Sequence, residues 1–169
     1  MYADFKEAKA NEAKSWLKNE VYDLWDTRKE KPWNYITGRW VLTVKRDKEG
    51  NITNAKARWV LRGFQDKQGW DMQTDSPTSG RPSFRLACQY SAIEQWSFDH
   101  IDLKTAFLQG APYTDKEGRS VVGQLPKECG MPSHIGARLK KSAYGLKDAP
   151  RRWWNRLDDS MRRWGLVPA

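Results

Sequence analysis

The stretch that predicts the fold most directly is residues 39–64, which read RWVLTVKRDKEGNITNAKARWVLRGF. Two runs suited to β-strands, Arg39–Arg46 and Ala55–Phe64, flank a connection that contains Gly and Asn. In the first run Trp40 and Leu42 point to the same face, because successive side chains of a strand alternate between its two faces. The pattern therefore predicts a β-hairpin.

Three helices are expected outside the hairpin. The first spans residues 5–25, where apolar residues recur at steps of three or four and Glu12 lies among polar residues on the opposite side. Its apolar stripe consists of Ala10, Ala13, Leu17, Val21 and Leu24. The second helix covers 83–95. The third covers 149–164, with Pro150 in the first turn, where a missing N–H costs nothing.

Further strands are expected at Trp96–Leu103, Val121–Leu125 and Arg138–Tyr144, with a short helical turn at Thr105–Gln109. Strands and helices do not alternate regularly along the chain, which is typical of the α+β class. We expect the hairpin to stand apart from a small antiparallel sheet that carries Asp102 and packs against the helices.

The composition excludes several classes of protein. Ten Trp, six Tyr and five Phe among 169 residues supply enough apolar material for a core, which argues against disorder. The apolar runs are too short for a membrane span, and the start of the chain shows no apolar signal-peptide segment. The only cysteines, Cys88 and Cys129, are far apart, so neither a structural zinc site nor a disulfide framework is expected. A reducing intracellular compartment, cytoplasm or nucleus, fits this cysteine usage.

The charge indicates a class of partner. The formal net charge is +9 and the isoelectric point is near 9.6. An excess of this size points first to a polyanion, most often nucleic acid, although basic proteins without such a partner also exist. The basic residues are spread among apolar ones, as a folded binding surface would place them. The contacts with nucleic acid predicted outside the nucleotide site are Arg62, Lys147, Arg152 and Arg156.

A carboxylate lies near the end of the strand expected at 96–103. Asp102 either caps the turn that follows it or serves, with a backbone carbonyl, as an oxygen ligand for Mg²⁺. The local sequence alone favours capping. A magnesium site would need a second carboxylate and substrate phosphates in addition.

A basic row occupies the second strand of the hairpin, where Lys56, Arg58 and Arg62 share one face. Such a row is usually just solvated. Beside an acidic metal site it would suit a triphosphate, which Arg contacts with a bidentate fork and Lys with a point charge.

A third motif lies at residues 139–154, which read LKKSAYGLKDAPRRWW. Tyr144 and Gly145 stand between a predicted strand and a helix that begins near Pro150. Either a nucleotide stacks on this aromatic platform beside bare backbone, or the aromatic residues belong to the core. The motif alone leaves both interpretations open.

Together and in this order, four blocks of the chain resemble the amino-terminal part of the reverse transcriptase domain of copia-type long-terminal-repeat retrotransposons. The blocks are Lys56–Phe64, Ser76–Leu86, Asp102–Gly110 and Leu139–Trp153. Four ordered blocks are far more specific than one short motif. The resemblance implies a fingers-and-palm fragment of a right-hand polymerase, with the N-terminal helix and fingers in about 1–95 and part of the palm in about 96–169.

The resemblance also implies roles for single residues. Asp102 matches the first catalytic, metal-binding Asp of the family, and Leu103 would lend its carbonyl to the same ion, Mg²⁺ or Mn²⁺. Lys56 and Arg58 match the residues that hold the incoming deoxynucleoside triphosphate.

Three further positions complete the nucleotide site that the resemblance implies. Phe107 matches a bulky position under the sugar, where an aromatic ring leaves no room for a ribose 2′-OH. Tyr144 and Gly145 match contacts with the incoming nucleotide and the template.

The family's second metal-binding motif, an aromatic-x-Asp-Asp hairpin, has no match in the chain. Asp158 and Asp159 fall in the middle of a predicted helix and cannot replace it. Because nucleotidyl transfer needs two metal ions held between carboxylates, the chain alone is expected to be inactive or nearly so.

The partners that the resemblance implies are an RNA or DNA template-primer, deoxynucleoside triphosphates and the remaining polymerase, ribonuclease H and integrase parts of a parent polyprotein, with no membrane. Two other hypotheses stay open: a non-catalytic nucleic-acid-binding module and an oligomerising remnant.

Overall fold

The structure is a computed structural model that describes residues 4–70, 72–99 and 101–166. Its α-helices are α1 (Lys6–Lys18), α2 (Arg81–Ile93) and α3 (Ala149–Arg163). Its strands are β1 (Tyr22–Asp26), β2 (Tyr35–Ile36), β3 (Gly38–Arg46), β4 (Ile52–Leu61), β5 (Val122–Gln124) and β6 (Ile135–Leu139). Among these residues, no helix has the length and apolar character that a membrane span requires.

The strands form two separate sheets. A four-stranded sheet has the order β1-β6-β5-β2, and β3 pairs only with β4. The β1–β6 and β5–β6 pairs are antiparallel, whereas the short β2–β5 pair is parallel. The mixed helix-and-strand architecture and the separate hairpin are therefore confirmed, while the four-stranded sheet is not purely antiparallel.

The hairpin is anchored to the larger sheet at the end of β4. Ala57, Trp59 and Leu61 are buried, while Lys56 and Arg58, which alternate with Ala57 and Trp59, are exposed, as strand geometry requires.

Two hydrogen bonds make this anchor, one to the turn before α3 and one to β5 of the larger sheet. The Leu61 N–H donates to the carbonyl of Tyr144 at 2.8 Å, and the Trp59 indole N–H donates to the carbonyl of Gln124 at 2.9 Å. The hydrophobic core extends from this anchor between the four-stranded sheet, α1 and the end of β4. It comprises Trp16, Val21, Tyr22, Ile36, Trp59, Leu61, Leu108, Val121, Leu125, Ala137, Leu139, Ala143 and Leu146.

The first helix is shorter than expected, since it ends at Lys18 and the chain continues as β1. Glu20 adopts a left-handed backbone with φ 50°, and Val21 after it is fully buried. The predicted apolar stripe is wrong in part, because Leu17 and Leu24 are 61% and 55% exposed. The pairing of β1 with β6 overrides the helical periodicity that the sequence shows in this segment.

The strand expected at Trp96–Leu103 is wrong for the part of it that the structure describes, since residues 96–99 and 101–103 form no strand; His100 lies outside the described residues. Consequently the four-stranded sheet does not carry Asp102. None of the six described strands pairs with this segment, and a strand is stable only when its backbone groups find partners.

The remaining elements agree with expectation within a few residues. The strand predicted at 121–125 is β5, and the short turn predicted at 105–109 is a 3₁₀ helix at Ala106–Gln109. The strand predicted at 138–144 lies earlier, as β6. The chain leaves the ladder after Leu139 to reach the turn that precedes α3.

Candidate nucleotide-binding site

A cavity of about 370 Å³ lies between α1, β4 and the segment that carries Asp102. Five of the residues predicted for a nucleotide site line it, namely Lys56, Arg58, Asp102, Leu103 and Tyr144. These residues come from three separate stretches of the chain, and only the folded structure brings them together. We call this cavity the nucleotide pocket.

The geometry of β4 places the two cationic side chains of the pocket on one face. Lys56 and Arg58 are two residues apart on β4, opposite Thr43 and Val41 of β3, so both project from one face of the hairpin. Both side chains are exposed, as a phosphate contact requires. Arg62 continues the row beyond the strand and is also exposed, but it does not line the pocket.

Glu12 of α1 lines the same pocket, and the sequence analysis missed it. Its Oε1 accepts hydrogen bonds from the Trp16 indole N–H at 3.1 Å and from the Trp59 backbone N–H at 3.2 Å. Burial raises the pKa of Glu12, and these hydrogen bonds and the Arg58 charge oppose the rise without cancelling it. The one available signal was the spacing of Glu12 and Trp16, four residues apart on a helix.

The aromatic part of the site forms where the turn before α3 meets residues 106–109. The Phe107 and Tyr144 rings meet edge to face with their centroids 5.9 Å apart. Phe107 is half-buried and does not line the nucleotide pocket. Burial and the nearby Glu12 charge raise the pKa of Tyr144, and Arg58 opposes this.

Gly145 serves the packing of the chain. Its φ is 91°, and a Cβ at this position would collide with the carbonyl oxygen of Leu61. Only glycine allows the turn to pass this close to the end of β4. Gly145 does not line the nucleotide pocket, so the structure gives it a positioning role.

Asp102 offers an open carboxylate, since it is exposed at the wall of the pocket. The 3₁₀ helix after it begins behind Thr105 with no side-chain cap, so Asp102 does not act as its cap.

The oxygen donors here fit Mg²⁺ in kind but not in number. Glu12 is the other carboxylate of the pocket, and its Oε1 is already engaged. Within residues 4–70, 72–99 and 101–166, no group of three or more His, Cys, Asp or Glu side chains is placed to hold a metal ion.

The four basic residues predicted to contact nucleic acid differ in availability. Arg62 and Arg156 are exposed, and Lys147 is half-buried with Nζ 4.0 Å from the Trp70 ring centroid.

Arg152 is different, because its side chain is only 12% exposed and forms ion pairs with Asp148 at 3.0 Å and Glu117 at 2.9 Å. These internal partners argue against a phosphate contact for Arg152.

Behind Arg152 lies a buried ion pair. Arg119 and Asp66 form it, with side-chain exposures of 3% and 0%. Burial raises the pKa of Asp66, but hydrogen bonds from Arg119 and Asn34 and the Arg119 charge outweigh it, so the pKa lies below its usual range. The pair fixes the 66–68 turn against the loop that leads into β5.

Comparison with known proteins identifies the family of the chain. The family described as "Reverse transcriptase (RNA-dependent DNA polymerase)" matches residues 19–168. The chain is 33% identical over 161 residues to the retrovirus-related Pol polyprotein from transposon TNT 1-94 of Nicotiana tabacum, which covers 92% of this chain and 11% of that protein.

Two further relatives show the same relationship. One is the Pol polyprotein from transposon RE1 of Arabidopsis thaliana, 29% identical over 96% of this chain and 11% of that protein. The other is the transposon Ty1-DR4 Gag-Pol polyprotein of Saccharomyces cerevisiae, 28% identical over 85% of this chain and 8% of that protein.

The chain thus spans about a tenth of the length of the curated relatives that it matches. No solved structure matches it. The family match covers most of the chain, and the most similar of these relatives are plant transposon polyproteins. The chain therefore belongs to the reverse transcriptase family, and within that family it is a copia-type domain.

Proposed function

We propose that the nucleotide pocket holds the incoming deoxynucleoside triphosphate of an RNA-directed DNA polymerase, of which this chain is a fingers-and-palm part. The observation that carries the proposal is the convergence of Lys56, Arg58, Asp102, Leu103 and Tyr144 on one cavity. The template-primer and the other polyprotein domains are the partners that this role requires.

The chemistry of the pocket suits a nucleotide. Two neighbouring cations on a rigid strand match the charge of a triphosphate, and Arg adds bidentate geometry. Tyr144 provides an aromatic face near them, supported from the side by Phe107. Its place beside Tyr144 keeps Phe107 a candidate for the position under the sugar.

We further propose that the chain alone binds nucleotide without extending a primer. Polymerases of this family use divalent metal ions, which clamp both the attacking and the leaving oxygen. Asp102 and the Leu103 carbonyl are too few donors for two ions, and Glu12 is engaged with Trp16 and Trp59.

We also propose the cytoplasm or nucleus as its compartment, because Cys88 and Cys129 are both free thiols.

Calorimetric titration of the chain with dATP, in Mg²⁺ and in EDTA, tests the nucleotide site. The double variant Lys56→Ala/Arg58→Ala should weaken dATP binding at least about tenfold, since hydrogen bonds between charged groups are among the strongest in proteins. The matched control is Lys45→Ala/Arg46→Ala, which removes the same charges from exposed positions of β3 outside the pocket. Equal affinities in both double variants would overturn the assignment.

A primer-extension assay with the same samples tests the chemistry. We expect no extension by the chain. Extension that disappears in Asp102→Asn would show that a second carboxylate completes the metal site. Nucleic-acid binding without any dATP binding would favour the non-catalytic module instead.

A further inference from the structure

A second cleft, of about 640 Å³, runs along α3 and shares no lining residue with the nucleotide pocket. Its walls include Trp33, Lys67, Gln68, Arg151 and Arg152, with Arg119 at its floor. We call it the aromatic cleft.

One exposed tryptophan lines this cleft and a second lies close to its wall along the chain. Trp33 lines the cleft and is 61% exposed, and Trp70, two residues after Gln68, is outside the lining and is 81% exposed. A Trp side chain left in water forgoes the burial that normally stabilises it, so open indole rings grouped at a concave surface indicate a binding site.

A lysine lies over each of these rings. Lys67 places Nζ 5.4 Å from the Trp33 centroid and donates a 2.8 Å hydrogen bond to the Trp33 carbonyl. Lys147 places Nζ 4.0 Å from the Trp70 centroid. Lys67 and Trp70 are three positions apart in the chain, a span of at most about 11 Å between Cα atoms. The two aromatic–cation pairs are therefore neighbours.

The charge of the cleft is positive. Its acidic members, Glu117 and Asp148, are both paired with Arg152, and Arg151 pairs with Asp75. Lys67 and Lys147 form no ion pair with the described residues. The Arg119 side chain at the floor is 3% exposed; its Nε has no hydrogen-bond partner among the described residues, and Asp148 Oδ2 lies 4.0 Å from it.

We propose that the aromatic cleft and the adjoining Trp70–Lys147 pair bind single-stranded nucleic acid, with bases stacked on Trp33 and Trp70 and phosphates held by Lys67 and Lys147. Open aromatic faces beside cations match the unpaired bases and the backbone of a single strand, and such stacking tolerates any base. A duplex offers its phosphates but keeps its base faces stacked internally. An acidic peptide offers charge but no ring for the indoles. The inference rests on the proposed function only in taking nucleic acid as the partner.

The test is a fluorescence-anisotropy titration of a labelled mixed-sequence 12-nucleotide DNA strand, and of its duplex, with the full chain. Trp33→Ala/Trp70→Ala should weaken single-strand binding at least about 30-fold, the product of two losses of about 5.5-fold each at the low end of base–aromatic stacking. Duplex binding should change less than about twofold. Trp33→Phe/Trp70→Phe, which keeps two rings, should recover most of the affinity.

The matched control is Trp164→Ala. Trp164 is 71% exposed at the end of α3 and does not line the aromatic cleft, so its removal should leave binding unchanged. Lys67→Ala/Lys147→Ala should reduce the slope of log affinity against log salt by up to about 1.4, since each phosphate contact with a single strand contributes about 0.7.

Three outcomes would overturn the proposal: wild-type single-strand affinity in Trp33→Ala/Trp70→Ala, an equal loss for the duplex, or equal competition by poly-glutamate. Titration of the same variants with dATP separates this proposal from the nucleotide site. Unchanged dATP binding with unchanged single-strand binding would refute the aromatic cleft alone. A 30-fold loss of single-strand binding in a chain that binds no dATP would refute the nucleotide site alone.

Discussion

The four-stranded sheet and the α2 region are stabilised in very different ways. Around the sheet even charged groups are enclosed, and the side chains of Asp66, Asp148 and Arg119 are at most 3% exposed. In α2 only Ser91 is buried. The large apolar side chains of α2 and the segment after it are between 45% and 70% exposed; they are Phe84, Leu86, Tyr90, Ile93, Trp96, Phe98, Ile101 and Leu103.

This difference shows that a helix can form without being packed into the core. α2 begins behind Gly80 with Pro82 in its first turn and holds 13 residues, so local preferences are enough to define it. Tertiary packing normally supplies most of the stability of a helix. Substitutions around the sheet should therefore change the free energy of unfolding strongly, and substitutions in α2 should not.

The largest effect is expected from Asp66→Asn. The substitution removes the carboxylate hydrogen-bonded to the buried Arg119 and leaves only Asp148, at 4.0 Å, to balance its charge; breaking a buried pair typically costs about 3–5 kcal/mol. Urea denaturation at pH 7 measures the loss.

The matched control is Asp75→Asn, which removes an exposed ion pair with Arg151 and should cost at most about 1 kcal/mol. Because the pKa of Asp66 is lower in the folded chain, its stabilisation is present above the unfolded pKa of about 3.9 and is lost as the pH falls through the folded pKa. Equal losses in the two variants at pH 7 would contradict this account.

The next effect is expected from Leu61→Ala. Leu61 is 2% exposed and packs against Gly123 of β5, where it anchors the hairpin to the sheet. Removing a buried Leu side chain costs about 2–5 kcal/mol in the free energy of unfolding. Leu42→Ala, at a half-exposed position of the same hairpin, should cost no more than about 1 kcal/mol. A similar loss in both would show that the hairpin is not anchored through Leu61.

The sequence predicted the elements whose partners are close along the chain. The hairpin of β3 and β4 follows from alternation and a turn, and α3 follows from its periodicity and Pro150, because both signals are local. The sequence did not predict β1, because its partner β6 lies more than a hundred residues away and the residues of β1 also fit a helical stripe.

The candidate site was predictable to a similar extent. The basic row of Lys56 and Arg58 follows from strand alternation, and Asp102 from the resemblance. Glu12 was assigned to a polar face because it looks like an ordinary helix-surface residue. Only the packing of α1 against β4 buries it beside Arg58.

Glu12→Gln is expected to raise the free energy of unfolding moderately, in contrast to the losses above. Glutamine keeps an oxygen that can accept both hydrogen bonds, while the buried charge disappears. The pKa of Glu12 is raised in the folded chain, so its ionisation destabilises the fold as the pH rises above the unfolded pKa of about 4.3. The variant should be more stable than the natural chain at pH 7, where the buried carboxylate is charged, and should gain nothing at pH 3.

Urea denaturation at the two pH values measures this gain. Glu49→Gln, in the exposed hairpin turn, should show no such gain at either pH. A Glu12→Gln variant that is less stable than the natural chain at pH 7 would mean that the Arg58 charge outweighs burial.

The smallest effect is expected from Leu86→Ala in α2. Leu86 is 67% exposed, so the substitution removes little buried area, and Ala favours a helix slightly more than Leu does. The free energy of unfolding should change by less than about 0.5 kcal/mol, as for most surface substitutions. Hydrogen exchange adds a second measurement, because helix amides with few tertiary contacts exchange through local opening. The α2 amides should exchange well before those of β4. A loss above about 1 kcal/mol, or exchange of α2 only through global unfolding, would mean that another surface covers this apolar face in solution, and the contrast with the sheet would then disappear.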